Sequence, residues 1–167
     1  YNQTYQTLAY AAQQADWASQ THIVEGDTVN AARTRAAKEA LAAFSGSVEN
    51  IEKIRGYLKE KSRLTPLEVR QLEMMLFFAG DNPATAAALV QARIAAETEQ
   101  TEKLYGYAFH LGTKEITPNE IDRRLRESTD LAERQAVWES SKAIGATLKP
   151  GILKLRETWE IMDPVEI

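Results

Sequence analysis

The side chains able to do chemistry are few in this chain and poorly spaced for it. Two histidines, His22 and His110, stand far apart, and there is no cysteine. A helical zinc hydrolase needs two histidines four residues apart, so that both imidazoles share one helix face, with a glutamate nearby to activate water. No such pair exists. The helical di-iron pattern sets a glutamate three residues before a histidine on two helices, whereas Ser19 precedes His22 and Tyr107 precedes His110. Lack of cysteine also removes thiolate nucleophiles, zinc-thiolate sites and disulfides. The serines fall mainly at breaks between apolar stretches, where a hydroxyl caps a helix more readily than it attacks a carbonyl. Glu97, Glu99 and Glu102 read as a solvated helix face, and Gly46, Gly56 and Gly80 are isolated breakers that build no phosphate loop. The expectation is a chain with no catalytic residue, no metal ligand set and no cofactor of its own.

The aromatic residues Tyr1, Tyr5, Tyr10 and Trp17 could line a ligand groove on one helix. Core packing is the simpler reading for them, and for Trp138 and Trp159, because aromatic side chains dominate burial. His110, between Phe109 and Leu111, is expected at a helix C-terminus, facing the negative end of the dipole.

Helical spacing accounts for nearly the whole chain. Apolar residues recur three or four apart at Tyr1, Tyr5, Leu8, Ala12 and Ala15, which predicts a first helix reaching about Ile23. Gly26 breaks it, and Asp27 or Thr28 can cap a second that runs to about Phe44. Ser45-Gly46-Ser47 reads as a bend before the set Val48, Ile51, Ile54 and Leu58. Thr65-Pro66-Leu67-Glu68 is a strong helix start, with threonine at the cap, proline where its missing NH costs nothing, and glutamate three residues on. The same device is expected at Asn82-Pro83, opening a helix to about Leu111 that Gly112 ends, and at Thr117-Pro118-Asn119-Glu120. Within the Pro83 helix, Ala86, Leu89, Val90, Ile94, Leu104, Tyr105 and Ala108 are the expected inward set, and the stretch from Glu97 to Glu102 should face solvent. Ser128-Thr129-Asp130 caps a further helix closing near Gly145, and Lys149-Pro150-Gly151 opens the last one, from Ile152 to about Met162. No stretch shows the alternation that argues for a strand. The prediction is an all-α, single multi-helix domain over 1–167, with about six or seven helices and proline-capped starts.

Composition supports one folded domain, because a chain of 167 residues buries roughly 70% of the surface its unfolded form exposes. Net charge is −4 with acids and bases interspersed, leaving no basic stripe to release counterions from a nucleic acid. The longest apolar run, Met74 to Ala79, is far short of the ~20 residues a membrane span needs. The chain opens at Tyr1, which leaves room for a signal peptide or longer N-terminal region ahead of it. The stretch from Met162 to Ile167 follows a helix and shows no role of its own.

Two stretches resemble the zinc dipeptidyl carboxypeptidases of the angiotensin-converting-enzyme type, peptidase family M2. The first, Ala15-Asp16-Trp17-Ala18-Ser19-Gln20-Thr21-His22-Ile23, is similar to that family's early Trp-x-x-x-Thr-x-Ile segment on a long amphipathic helix. The second, Asp130 to Glu139 with the pair Trp138-Glu139, followed by Gly145 and Leu148-Lys149-Pro150-Gly151, resembles a helix ahead of the one that leads to the rest of the enzyme. Their order and separation also fit.

The resemblance implies the N-terminal lid and scaffold part of a cleft-shaped helical peptidyl-dipeptidase, whose zinc motif lies far downstream. Zinc, peptide substrate and hydrolysis would then belong only to the full-length protein. It implies that Trp17 and Ser19 border the peptide cleft, and a periplasmic or secreted location. No chloride site is carried over, because the basic residue nearest after Trp138-Glu139 is Lys142. The alternative is a stand-alone helical interaction module that kept the scaffold and lost the chemistry. A piece of a larger helical enzyme would expose apolar surface, so a homodimer or the enzyme's C-terminal part is the expected partner. The surface expected to meet it comprises Tyr5, Leu8 and Trp17 on the first helix and Ile152, Leu155, Trp159 and Met162 on the last.

Overall fold

A computed structural model of the chain describes residues 1–21 and 28–162, with side chains through residue 159. Helix α1 spans Asn2–Thr21 and packs along α2, Thr28–Ser45. The expected end of α1 near Ile23 and the capping role of Asp27 lie outside the described residues. Helix α3, Val48–Lys59, is separate from α2, and the break between them has two causes. Ser47 caps α3 by accepting from the Asn50 NH at 3.3 Å. Gly46 meets the backbone of Asn82 so closely that a Cβ would stand 1.5 Å from its carbonyl oxygen. The bend expected there is thus a full helix end.

A 3₁₀ turn, Lys61–Arg63, leads to α4, Pro66–Gly80, where the predicted start is realised. The Thr65 NH donates to Glu68 at 2.7 Å and the Glu68 NH donates to the Thr65 hydroxyl at 3.3 Å, a reciprocal pair that satisfies two otherwise free donors. Asn82-Pro83 behaves differently from the expectation. Pro83 precedes a 3₁₀ turn, Ala84–Ala86, and α5, Ala87–Tyr105, follows it. The Asn82 side chain caps nothing there, because its amide oxygen accepts from Arg93 at 2.8 Å.

Helix α5 ends at Gly106, and a two-stranded antiparallel hairpin follows, β1 (Phe109–Leu111) and β2 (Lys114–Ile116). Both the helix to Leu111 and the absence of strands are therefore corrected. Gly112, at φ +63° and the first position of the two-residue turn, supplies the left-handed conformation that a type II′ hairpin needs. Three-residue strands are too short to show alternation. His110 consequently sits in a strand, exposed, and not at a helix end.

Helix α6, Pro118–Glu127, starts on the Thr117 hydroxyl, which accepts from the Glu120 NH at 3.2 Å. Helix α7 then runs unbroken over Leu131–Met162, capped by Asp130 accepting from the Ala132 NH at 2.9 Å. The two helices expected on either side of Gly145 to Pro150 are one. An internal proline removes a helical hydrogen bond and crowds the preceding turn, a local cost that α7 carries while it packs against α5. The Gln100 amide donates to the Leu148 carbonyl at 2.8 Å. Gly151 makes room for it, since a Cβ there would stand 2.6 Å from the Gln100 side chain.

Two apolar clusters hold the elements together. Ala42, Val90 and Ile94, with Leu89 against them, join α2 to α5. Ile116, Ile121 and Val137, with Phe109, Leu111 and Leu125, join the hairpin to α6 and α7. The chain is almost wholly helical, an all-α domain with one small hairpin. No described helix is long and apolar enough to cross a membrane.

Candidate functional site

The second half of α1 carries its polar residues towards α2 and α5. Asp16 pairs with Lys38 at 2.8 Å and accepts from Gln20 at 2.6 Å. Ser19 Oγ lies 2.7 Å from the hydroxyl of Thr34, itself 2% exposed. Asp16, Ser19, Thr34 and Lys38, together with Thr98, Thr101 and Glu102 of α5, surround a cavity of about 20 Å³. The Thr98 and Thr101 hydroxyls donate back to the carbonyls of Ile94 and Glu97, at 2.8 and 2.9 Å. The stretch expected to face solvent is therefore divided: Thr98 is buried, Gln100 reaches α7, and only Glu99 and Glu102 are exposed.

This constellation joins α1 to α2 through paired polar groups. The partner of Ser19 is another hydroxyl and no base, so no proton is drawn from it. The carboxylate of Asp16 is neutralised by Lys38. Among the described residues no group of three or more histidines and acids could hold a metal ion. His22 lies outside them, and His110 sits on its strand with Nδ1 3.0 Å from the Ala108 carbonyl.

Trp17 occupies the other side of α1 and is 66% exposed. Its separation from Ser19 is a matter of helix geometry, because residues two apart point in nearly opposite directions. The structure thus does not bring these two expected cleft residues together: Trp17 meets solvent and Ser19 closes the interface with α2. Core packing, expected for the aromatic residues, is also corrected, since Tyr10, Trp17, Trp138 and Trp159 are all exposed. Tyr1 and Tyr5 stack at 5.9 Å, with Phe44 against Tyr1. Burial and the neighbouring Tyr5 phenol push the Tyr1 phenol above its ordinary range.

No family model, no curated protein and no solved structure matches the chain.

Of the residues expected to form a self-association surface, those on α7 share one face by their spacing, whereas those on α1 do not. Tyr5 and Leu8 are half-buried on α1, and Trp17 lies about half a turn round from Leu8. Ile152 is exposed, Leu155 half-buried, and the side chain of Met162 lies outside the described ones. Trp159 has one face over the guanidinium of Arg93, 4.9 Å from the ring centre, and the rest in solvent.

A different stripe emerges on α7. Leu131, Trp138, Ile152 and Trp159 are separated by seven or fourteen residues, with Gly145 at the missing step, and are 77%, 54%, 54% and 43% exposed. Seven-residue spacing keeps side chains on one slowly drifting face of a helix, so the four form a line of large apolar groups in solvent. The spacing was readable from the sequence. Two predicted short helices in place of one long one hid its continuity.

Arg93 is the other group the sequence did not announce. It is 8% exposed and donates to the Asp81 carbonyl at 3.1 Å, to Asn82 at 2.8 Å and to Glu97 at 3.1 Å. With Trp159 over its guanidinium, it ties the α4–α5 connection to α7.

Proposed function

We propose that this chain is the N-terminal helical scaffold of an M2-type peptidyl-dipeptidase, forming one wall of the peptide cleft and performing no chemical step by itself. The observation that carries the reading is the placement of the two resembling tryptophans. Trp17 and Trp138, one in each resembling stretch, are exposed on α1 and α7, Trp138 with the Lys142 ammonium over its ring. Single exposed apolar residues are ordinary, but a line of them along a 32-residue helix favours a helix that meets further structure. The α7 stripe supplies that line, and the polar interface of Asp16, Ser19, Thr34 and Lys38 fixes α1 so that Trp17 faces outward. Glu68, Glu73 and Glu120 are committed to a cap and to ion pairs on α4 and α6, which suits a scaffold better than a reaction centre.

Kinetics of the intact gene's product test the reading. Trp17→Ala raises KM for a blocked tripeptide by roughly tenfold, the loss expected when one aromatic contact of about 1.4 kcal/mol is removed, and leaves kcat within about twofold. Tyr10→Ala, an exposed aromatic change outside the motif, leaves both constants unchanged. An unchanged KM in Trp17→Ala removes the cleft assignment.

A further inference from the structure

An open groove of about 370 Å³ lies between the first turns of α1 and the outer face of α4. Tyr1, Tyr5, Leu67, Met74, Met75 and Phe78 form its apolar walls, with the guanidinium of Arg70 among them and no carboxylate in the lining. Arg70 makes no ion pair among the described residues. The two acids nearest it along α4 are engaged elsewhere: Glu73 holds Lys61 at 2.8 Å, and Glu68 is bound into the cap at Thr65. The groove therefore offers an uncompensated positive charge beside an apolar surface of ligand-binding size. Its two adjacent methionines are unbranched and rotatable, so they fit a flexible chain better than a rigid ring.

We propose that this groove binds a medium-chain alkyl monocarboxylate, the alkyl body lying along Leu67, Met74 and Phe78 and the carboxylate accepting from Arg70. The guanidinium suits a carboxylate because its forked donors match both oxygens. The site is independent of the peptidase reading, since it uses neither Trp17 nor the α7 stripe, and its failure leaves that reading untouched.

Calorimetric titration of the purified chain with dodecanoate, below its micellar range, tests the proposal, with dodecanol and dodecyltrimethylammonium as matched probes. The expected result is one saturable site for dodecanoate, dodecanol binding about tenfold more weakly, and no binding of the cation. Arg70→Gln brings dodecanoate to the dodecanol level. Met74→Glu, at a partly exposed position, abolishes binding while the helical circular dichroism is retained. Absence of saturable dodecanoate binding overturns the proposal, as does equal binding of the cation or an unchanged preference in Arg70→Gln. Binding that disappears as protein concentration rises assigns the groove to a second copy of the chain, and also overturns it.

Discussion

Replacing Arg93 by Met keeps the aliphatic stem and removes the guanidinium that joins three parts of the fold. Three hydrogen bonds go, to Asp81, Asn82 and Glu97, at 2.8 to 3.1 Å, together with the cation–π contact to Trp159. Hydrogen bonds to a charged group contribute about 1.5–3 kcal/mol each when buried. Glu97 retains 30% accessibility of its side chain and Asp81 is exposed, so both regain water on substitution and count for little. The Asn82 bond is the best shielded, and the cation–π contact adds about 0.5–1 kcal/mol. The Arg93 Nε is buried without a partner, and its removal returns part of the loss. The net expectation is about 2–4 kcal/mol of destabilisation. In urea unfolding followed by helical circular dichroism this lowers the midpoint by roughly 1–2 M. A double-mutant cycle with Trp159→Phe isolates the ring contact. A loss below about 0.5 kcal/mol, within the range of an ordinary surface change, refutes the assignment of Arg93 as a buried clamp.

Gly46→Ala drives a methyl into the Asn82 backbone and costs about 3 kcal/mol or more, whereas Gly56→Ala, in open helical space, stabilises by about 0.5–1 kcal/mol; urea midpoints of the two should move in opposite directions. Hydrogen bonds from Arg123 and then Arg124 hold the Glu120 carboxyl down to about 2 from its ordinary 4.5. Its contribution to stability is thus complete above pH 4.5 and is lost as pH falls towards 2, so the melting temperature should fall less over that interval in Glu120→Gln than in the parent. The exposed α7 stripe predicts self-association at micromolar concentration in sedimentation, relieved by Trp138→Glu or Ile152→Glu; a parent that is strictly monomeric contradicts it.

Where local chemistry determines structure, the sequence was legible. Thr65-Pro66-Leu67-Glu68 forms its reciprocal cap because all the required groups lie within four residues. The buried positions Ile51, Ile54, Val90 and Ile94 follow from helical periodicity, whereas Leu104, Tyr105 and Ala108, also expected inward, are exposed where α5 gives way to the hairpin. The misreadings fall where a distant partner overrides a local signal. Pro150 reads as a helix start, yet α7 runs through it, packed against α5, where Gln100 donates to the Leu148 carbonyl. Asn82 reads as a cap, yet Arg93 takes its side chain. The hairpin was hidden because three residues per strand cannot display a period. At the candidate site, the opposite faces of Trp17 and Ser19 were legible from their spacing of two. The burial of Ser19 against Thr34 was not, since it depends on how α1 lies against α2.

Under the proposed function these helices are scaffold, and peptide chemistry would belong to other residues of a longer protein. Zinc content and dipeptide release, measured side by side for the intact gene's product and for residues 1–167, test it most directly. The expected result is one tightly bound zinc and release of a C-terminal dipeptide from a blocked tripeptide by the intact product, and neither by residues 1–167. An intact product with no zinc and no dipeptide release contradicts it, as does stoichiometric zinc with hydrolysis by residues 1–167 alone.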